Sequence, residues 1–236
     1  MQIIVIMDKT RKHLISLAVF TAISTVVPAT TFAQLHLEIA KAPEQAPKIA
    51  IVPFTNDQAI YQIVESDLNR SGRFTSASQN LPATASIDQI QAGDWQNAGV
   101  PYVVVGQMKA VDANTFEIQY QLYDVQKQQY LLNEVLTVPS SRIRQAGHMI
   151  SDAIYQALTG IAGDFSGRIA YVLRNQATPA QRYTLQVADT DGEQPKTVLS
   201  SRDPILSPAW TPDAKKIAYV SFETKRPAIY LQDLAS

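Results

Sequence analysis

The chain has 236 residues, 20 basic against 21 acidic, a net charge of −1 and no cysteine. Near-neutral charge withholds the basic face that nucleic-acid binding wants. Without cysteine, a disulfide framework and a thiolate zinc site are excluded, and a chain of this size can bury a core without such staples.

Lys9, Arg11 and Lys12 precede an apolar run, Leu14 to Val27, broken only by Ser16, Thr21, Ser24 and Thr25. Pro28 follows, then the small-x-Ala pattern Thr31-Phe32-Ala33. This is the anatomy of a secretory signal peptide. The run is 14 residues long, short of the roughly 20 that a spanning helix needs. Residues 1–33 are expected to be removed after Ala33. The remaining 203 residues carry 17 basic and 20 acidic groups, a net −3. Met7 makes a more ordinary start than Met1, because Ile3-Ile4-Val5-Ile6 places apolar residues ahead of the charges. No later segment is long and apolar enough to span a membrane.

After a lead containing Pro43 and Pro47, Lys48 to Phe54 reads as a strand buried on both faces. Asn56 or Asp57 caps a helix whose Ile60, Ile63, Val64 and Leu68 share one face. Gly72 ends it. A short strand is expected over Phe74 to Ala77. A second helix starts at Ser86 or Asp88, buries Ile87, Ile90 and Trp95, and stops at Gly99. Tyr102 to Gly106 is a buried strand by composition. A meander follows, with turns at Asp112-Ala113-Asn114 and at Gln126 to Gln128. Phe116, Ile118, Tyr120, Leu122 and Tyr123 mark its buried face, opposite a polar one. Gln129 to Val138 is its last strand.

Ser140 or Ser141 caps a long helix with an apolar stripe of Ile143, Ala146, Ile150, Ala153, Ile154, Ala157 and Leu158, ended by Gly160. Arg142 and Arg144 sit in its first turn, where the helix dipole disfavours cations by about 0.3–1 kcal/mol. They read either as a docking pair or as a tolerated surface pair, and the plainer surface reading is preferred. Gly147, mid-helix, implies close packing.

Arg168-Ile169-Ala170-Tyr171-Val172 returns as Lys216-Ile217-Ala218-Tyr219-Val220. Leu185 to Asp189 returns as Ile229 to Asp233. The offsets, 48 and 44 residues, place a small insertion in one copy and lie near the ~40–45 residues of a propeller blade. The expected fold class is an α/β domain, a mixed sheet with helices over residues 48–163, followed by the start of a β-propeller over residues 164–236, about one and a half blades. Trp210 and Tyr219 are core candidates. The open blade edge at Ile229 to Leu234 is a site of instability or aggregation.

Ile51-Val52-Pro53-Phe54, Asp67 to Phe74, Val103 to Gly106, Ala146-Gly147-His148 and Leu158 to Ile161 are followed by the first pentapeptide, then by Ser207 to Asp213 running into the second. In this order the motifs resemble the TolB family, the periplasmic components of the Tol–Pal system of Gram-negative bacteria. Ala214 departs from the family, which usually has glycine in that turn. The family also carries a six-bladed propeller, most of which this sequence lacks, so it reads as an N-terminal portion. The resemblance implies a periplasmic interaction protein. It would bind TolA through its N-terminal segment, residues 34–47, and Pal and other outer-membrane proteins through the propeller, and with most of the propeller missing those propeller functions are expected to be lost. Carried onto this chain, the TolA-binding residues are Gln34, Leu35, His36, Leu37, Glu38 and Ile39. Leu35, Leu37 and Ile39 alternate with polar residues, which suits strand addition to a partner sheet. An ordinary edge strand or frayed terminus is the plainer reading.

No catalytic constellation is visible. Gly163 to Gly167 lacks the Gly-x-Ser-x-Gly spacing, and no P-loop or dinucleotide fingerprint occurs. His36 and His148 are isolated along the sequence, without a carboxylate at metal-ligand spacing. His148 reads as a packed helix residue. Asp164, Asp189, Asp191, Asp203, Asp213 and Asp233 read as turn and cap residues. No cofactor or metal is expected. Two other readings stay open: the propeller half of a prolyl-oligopeptidase-like peptidase, and a truncated product without function.

Overall fold

Ile49, Ala50 and Ile51 are apolar in succession, so the strand they form must be covered on both faces and paired on both edges. A computed structural model describes residues 46–57, 59–77, 90–177 and 182–234. The signal peptide, the segment Gln34 to Ile39, and Ser86, Ile87 and Asp88 lie outside the described residues.

Strand β1 (Lys48–Ile51) runs parallel to both β2 (Thr75–Ser76) and β3 (Tyr102–Ala110). Strands β3, β4 (Thr115–Asp124) and β5 (Gln129–Pro139) form an antiparallel meander, and the mixed sheet has the order β2-β1-β3-β4-β5. Helices α1 (Ala59–Arg70) and α3 (Ile143–Thr159) pack on one face. Ile49, Ile51, Val104, Ile118, Tyr120 and Leu122 from the sheet meet Ile60, Val64, Leu68, Ile150 and Ile154 there. Helix α2 (Ala92–Asn97) covers the other face, where Trp95 meets Ala50, Val103, Val105 and Tyr123.

Most local expectations hold, with reasons. Asp57 is the α1 cap, its carboxylate accepting from the Ala59 and Ile60 amides at 3.2 and 2.8 Å. Gly72, Gly99 and Gly160 all take positive φ where the helices stop. Helix α2 begins at Ala92, so Ile90 packs from the approach and not from the helix. Neither Ser140 nor Ser141 caps α3; a 3-10 turn, Ser140–Arg142, feeds it without a side-chain cap. Ala157 is exposed. The second face of β4 is polar as expected, Gln119 and Gln121 pairing with Gln107 and Asn133 of the neighbouring strands, except at its end, where Tyr123 is buried in the α2 cluster. A register shift in the β4–β5 pairing falls between Leu122 and Tyr123.

The two repeat copies become two hairpins of equal register. Strands β6 (Arg168–Arg174) and β7 (Tyr183–Asp189) pair Arg168 with Asp189. Strands β10 (Lys216–Ser221) and β11 (Ala228–Asp233) pair Lys216 with Asp233. The first hairpin gains its third strand after the repeat, β8 (Lys196–Ser201); the second gains it before, β9 (Ile205–Trp210). Two three-stranded sheets result, sharing a core of Leu185, Val187, Ile205, Ile217 and Tyr219. Tyr219 stacks on Tyr230 at 5.8 Å, while Trp210 is only partly buried beneath the Arg168 guanidinium. Ile229 and Leu231 on β11 are 80% and 60% exposed.

Two backbone positions give sharp tests. A Cβ at Gly106 would lie 2.4–2.6 Å from the buried Phe54 ring, too close for either to remain in place. Gly106→Ala is expected to destabilise the chain by about 1–3 kcal/mol in denaturant unfolding. Ala214 takes φ 54°, and its amide donates to the Thr211 carbonyl at 2.8 Å. The turn thus stays tight without glycine, against a left-handed penalty. Ala214→Gly is expected to raise stability by about 0.5–1 kcal/mol in the same measurement.

Candidate functional site at the domain seam

Helix α1 carries a carboxylate where its buried stripe continues: Ile60 and Val64 are followed by Asp67 beside Leu68, and Asp67 is 1% exposed. A buried charge must be paired. Arg70, one turn on, donates to Asp67 Oδ1 at 2.6 Å, and His148 of α3 approaches Oδ2 through Nδ1 at 2.7 Å. Gly147 makes this approach possible, since a Cβ there would lie 3.0 Å from Ile63 Cγ2. The close-packing reading of Gly147 and the packed reading of His148 therefore stand.

Arg144 lies four residues before His148, on the same helix face. Its Nε donates to Asp189 Oδ2 at 3.0 Å and its terminal nitrogen to Asp191 Oδ2. Both aspartates belong to the end of β7 and the turn after it. The surface reading of Arg144 is thus corrected: it docks the helix against the first propeller sheet. Arg142 instead bonds the Gln145 side chain at 2.7 Å, as a surface residue does. Asp189 and Asp191 are also more than turn residues. Asp191 does keep its turn role, accepting the Glu193 amide at 3.0 Å beside Gly192 at φ 86°.

The connection between the domains is pinned as well. The Asp152 carboxylate accepts the Phe165 and Ser166 amides at 2.6 and 3.1 Å. Thr190 returns a hydroxyl to the Phe165 carbonyl. Gly163 has no room for a side chain, since a Cβ would meet Asp152 Cα at 2.6 Å. The Phe165 ring packs edge-on against Tyr155 at 5.6 Å. Beside the ion pairs opens a polar cleft of ≈ 310 Å³, lined in part by Arg144, His148, Ser166 and Asp189.

The electrostatics follow from this packing. Burial alone would raise the Asp191 carboxyl, but the Glu193 amide and Arg144, with His148 nearby, outweigh it and hold it below the ordinary range. Burial likewise works against the Arg144 charge, and Asp191 and Asp189 more than restore it. The sequence showed one sign of this site: a carboxylate at a stripe position of α1. The aspartates of the β7 turn lie 45 and 47 residues from Arg144, and no local spacing reveals that pairing.

A lowered carboxylate supports the fold above its unfolded value of about 3.9 and withdraws that support as pH falls through the lower folded value. Below about pH 4, stability is expected to fall more steeply in the parent than in Asp191→Asn. A double-mutant cycle of Arg144→Gln with Asp191→Asn is expected to give a coupling of about 0.5–3 kcal/mol in denaturant unfolding at neutral pH.

Comparison with known proteins agrees with the order of the two parts. A TolB amino-terminal domain model matches residues 35–131 and a TolB beta propeller domain model matches residues 155–236. The Tol-Pal system protein TolB of Acinetobacter baylyi is 82% identical over 227 residues, 96% of this chain and 53% of that protein. Its counterpart in Methylococcus capsulatus is 43% identical over 212 residues, 86% of this chain and 49% of that one. The crystal structure of TolB from Acinetobacter baumannii superposes with a TM-score of 0.78 at 84% identity, covering 86% of this chain and 50% of that one. The chain spans about half the length of these relatives. With the mixed-sheet domain and the paired hairpins both in place, the chain belongs to the TolB family of Tol–Pal proteins.

Proposed function

We infer that this chain is a binding component of the Tol–Pal system and not an enzyme. Exported by residues 1–33, it works in the periplasm. There it links inner-membrane TolA to outer-membrane Pal, in support of outer-membrane integrity and of constriction during cell division. The observation that carries this reading is the sustained identity to a Tol–Pal TolB, 82% along 96% of the chain.

The chemistry of the seam favours the same reading. Asp67 engages Arg70 within α1 and His148 across to α3, and Arg144 engages Asp189 and Asp191 across to the β7 end, so their charges serve packing. Among the described residues no helix is long and apolar enough to cross a membrane, which is compatible with a protein that reaches membranes through partners.

TolA contact is assigned to Gln34, Leu35, His36, Leu37, Glu38 and Ile39, whose alternation suits adding a strand to the edge of a partner sheet. Main-chain bonds then supply affinity, and the Leu35, Leu37 and Ile39 side chains supply register. Pal contact is assigned to the propeller. Removing Gln34–Ile39 is expected to abolish binding of the TolA C-terminal domain, measured by titration calorimetry. Equal affinity with and without the segment would reject the assignment.

A further inference from the structure

His148 brings an unpartnered ring nitrogen into the seam. Its side chain is 2% exposed, and Nδ1 is engaged by Asp67 at 2.7 Å. Nε2 is buried and has no hydrogen-bond partner. It faces Asp191, with Oδ2 at 3.8 Å. One ligand atom each from His148, Asp189 and Asp191 lies within 4.8 Å of the other two. An orphaned buried nitrogen in a native fold calls for an explanation, and the ion pairs of Arg144 do not supply one.

The Asp67 carboxylate can only accept, so Nδ1 is the donor and Nε2 is the ring nitrogen open to a metal. A histidine whose other ring nitrogen is held by a carboxylate is the arrangement found at metal centres. We propose that His148 Nε2, Asp189 and Asp191 form a binding site for a divalent transition metal of the Zn²⁺ type. The ion competes with Arg144 for the two carboxylates and ties α3 to the β7–β8 turn by coordination.

The distances suit this. Two ligands each about 2.0–2.1 Å from zinc stand roughly 3.4 Å apart at a tetrahedral angle and about 4.1 Å apart in line. The 3.8 Å between Nε2 and Asp191 Oδ2 falls between these limits. Bringing separations of up to 4.8 Å to the tetrahedral spacing takes a carboxylate shift of about 1.4 Å or less. The charge also suits it. A coordinating ring carries no charge, and Asp67, Asp189 and Asp191 then oppose Arg70 and Arg144, three carboxylates against two guanidiniums, which leaves one negative charge for the ion. An imidazole with carboxylates favours zinc over calcium, which takes oxygen ligands alone. The polar cleft that reaches His148 and Asp189 gives a hydrated ion its way in.

The test uses the full chain with His13→Gln and His36→Gln, which leaves His148 as the sole histidine. Calorimetric titration with ZnCl₂ is expected to show one ion per chain, and zinc is expected to raise the thermal midpoint. His148→Gln and Asp189→Asn should each weaken binding about tenfold or more. Asp189 is partly exposed, so its variant keeps the test open if His148→Gln folds poorly. Arg144→Gln should tighten binding by releasing the carboxylates. No saturable binding, or binding unchanged in Asp189→Asn, would overturn the site. Affinity no higher in Arg144→Gln would overturn the competition.

Discussion

The buried carboxylate of Asp67 is the constraint on which this structure turns. A charge that is 1% exposed cannot stand alone, because removing it from water is repaid only by close partners. Arg70 supplies one partner from the same helix. The second, His148, comes from 81 residues further along the chain and fixes how α3 lies against α1. Once His148 is placed, Arg144 is placed as well, one turn away on the same face. It points out of the first domain towards Asp189 and Asp191. A single buried charge thus sets a helix orientation, and through it the first contact between the two parts of the chain.

Close backbone approaches make that arrangement possible. Gly147 lets α3 settle onto Ile63 of α1, which brings His148 within hydrogen-bond distance of Asp67. Gly163 lets the chain turn directly beneath Asp152. The Asp152 carboxylate then holds the next two amides. The two glycines act in sequence, one where α3 meets α1 and one where the chain leaves α3. Neither position takes a positive φ. Space, not backbone conformation, is what each requires.

How much of this could be read from the sequence depends on the range of the interaction. The Asp57 cap, the glycine stops and the two repeat hairpins each depend on residues close along the chain. All were expected, and all are found. The start of α2 was placed too early because Ile90 is apolar and was counted as helical, although it packs from an extended approach. The polar second face expected of β4 is found in Gln119 and Gln121, which pair with Gln107 and Asn133, and it gives way only at the strand end, where Tyr123 joins the α2 cluster. Arg144 reads as a surface residue because its helix alone shows no partner for it. Its partners are local to nothing in its own helix, so the dipole argument was sound but incomplete. Two carboxylates from another sheet outweigh the unfavourable helix end.

The composition of the seam bears on how the chain works. Among the described residues, the apolar cluster between sheet and helices and the one between the two hairpin sheets remain separate. Charged contacts, the Asp152 amide bonds and the Phe165 ring join the two parts. An interface of this kind resembles a transient protein–protein contact more than a core cut in half. Shifting one part against the other exchanges ion pairs for water, and exposes little apolar surface. Arg144, His148 and the two aspartates are the groups that any such shift would disturb first.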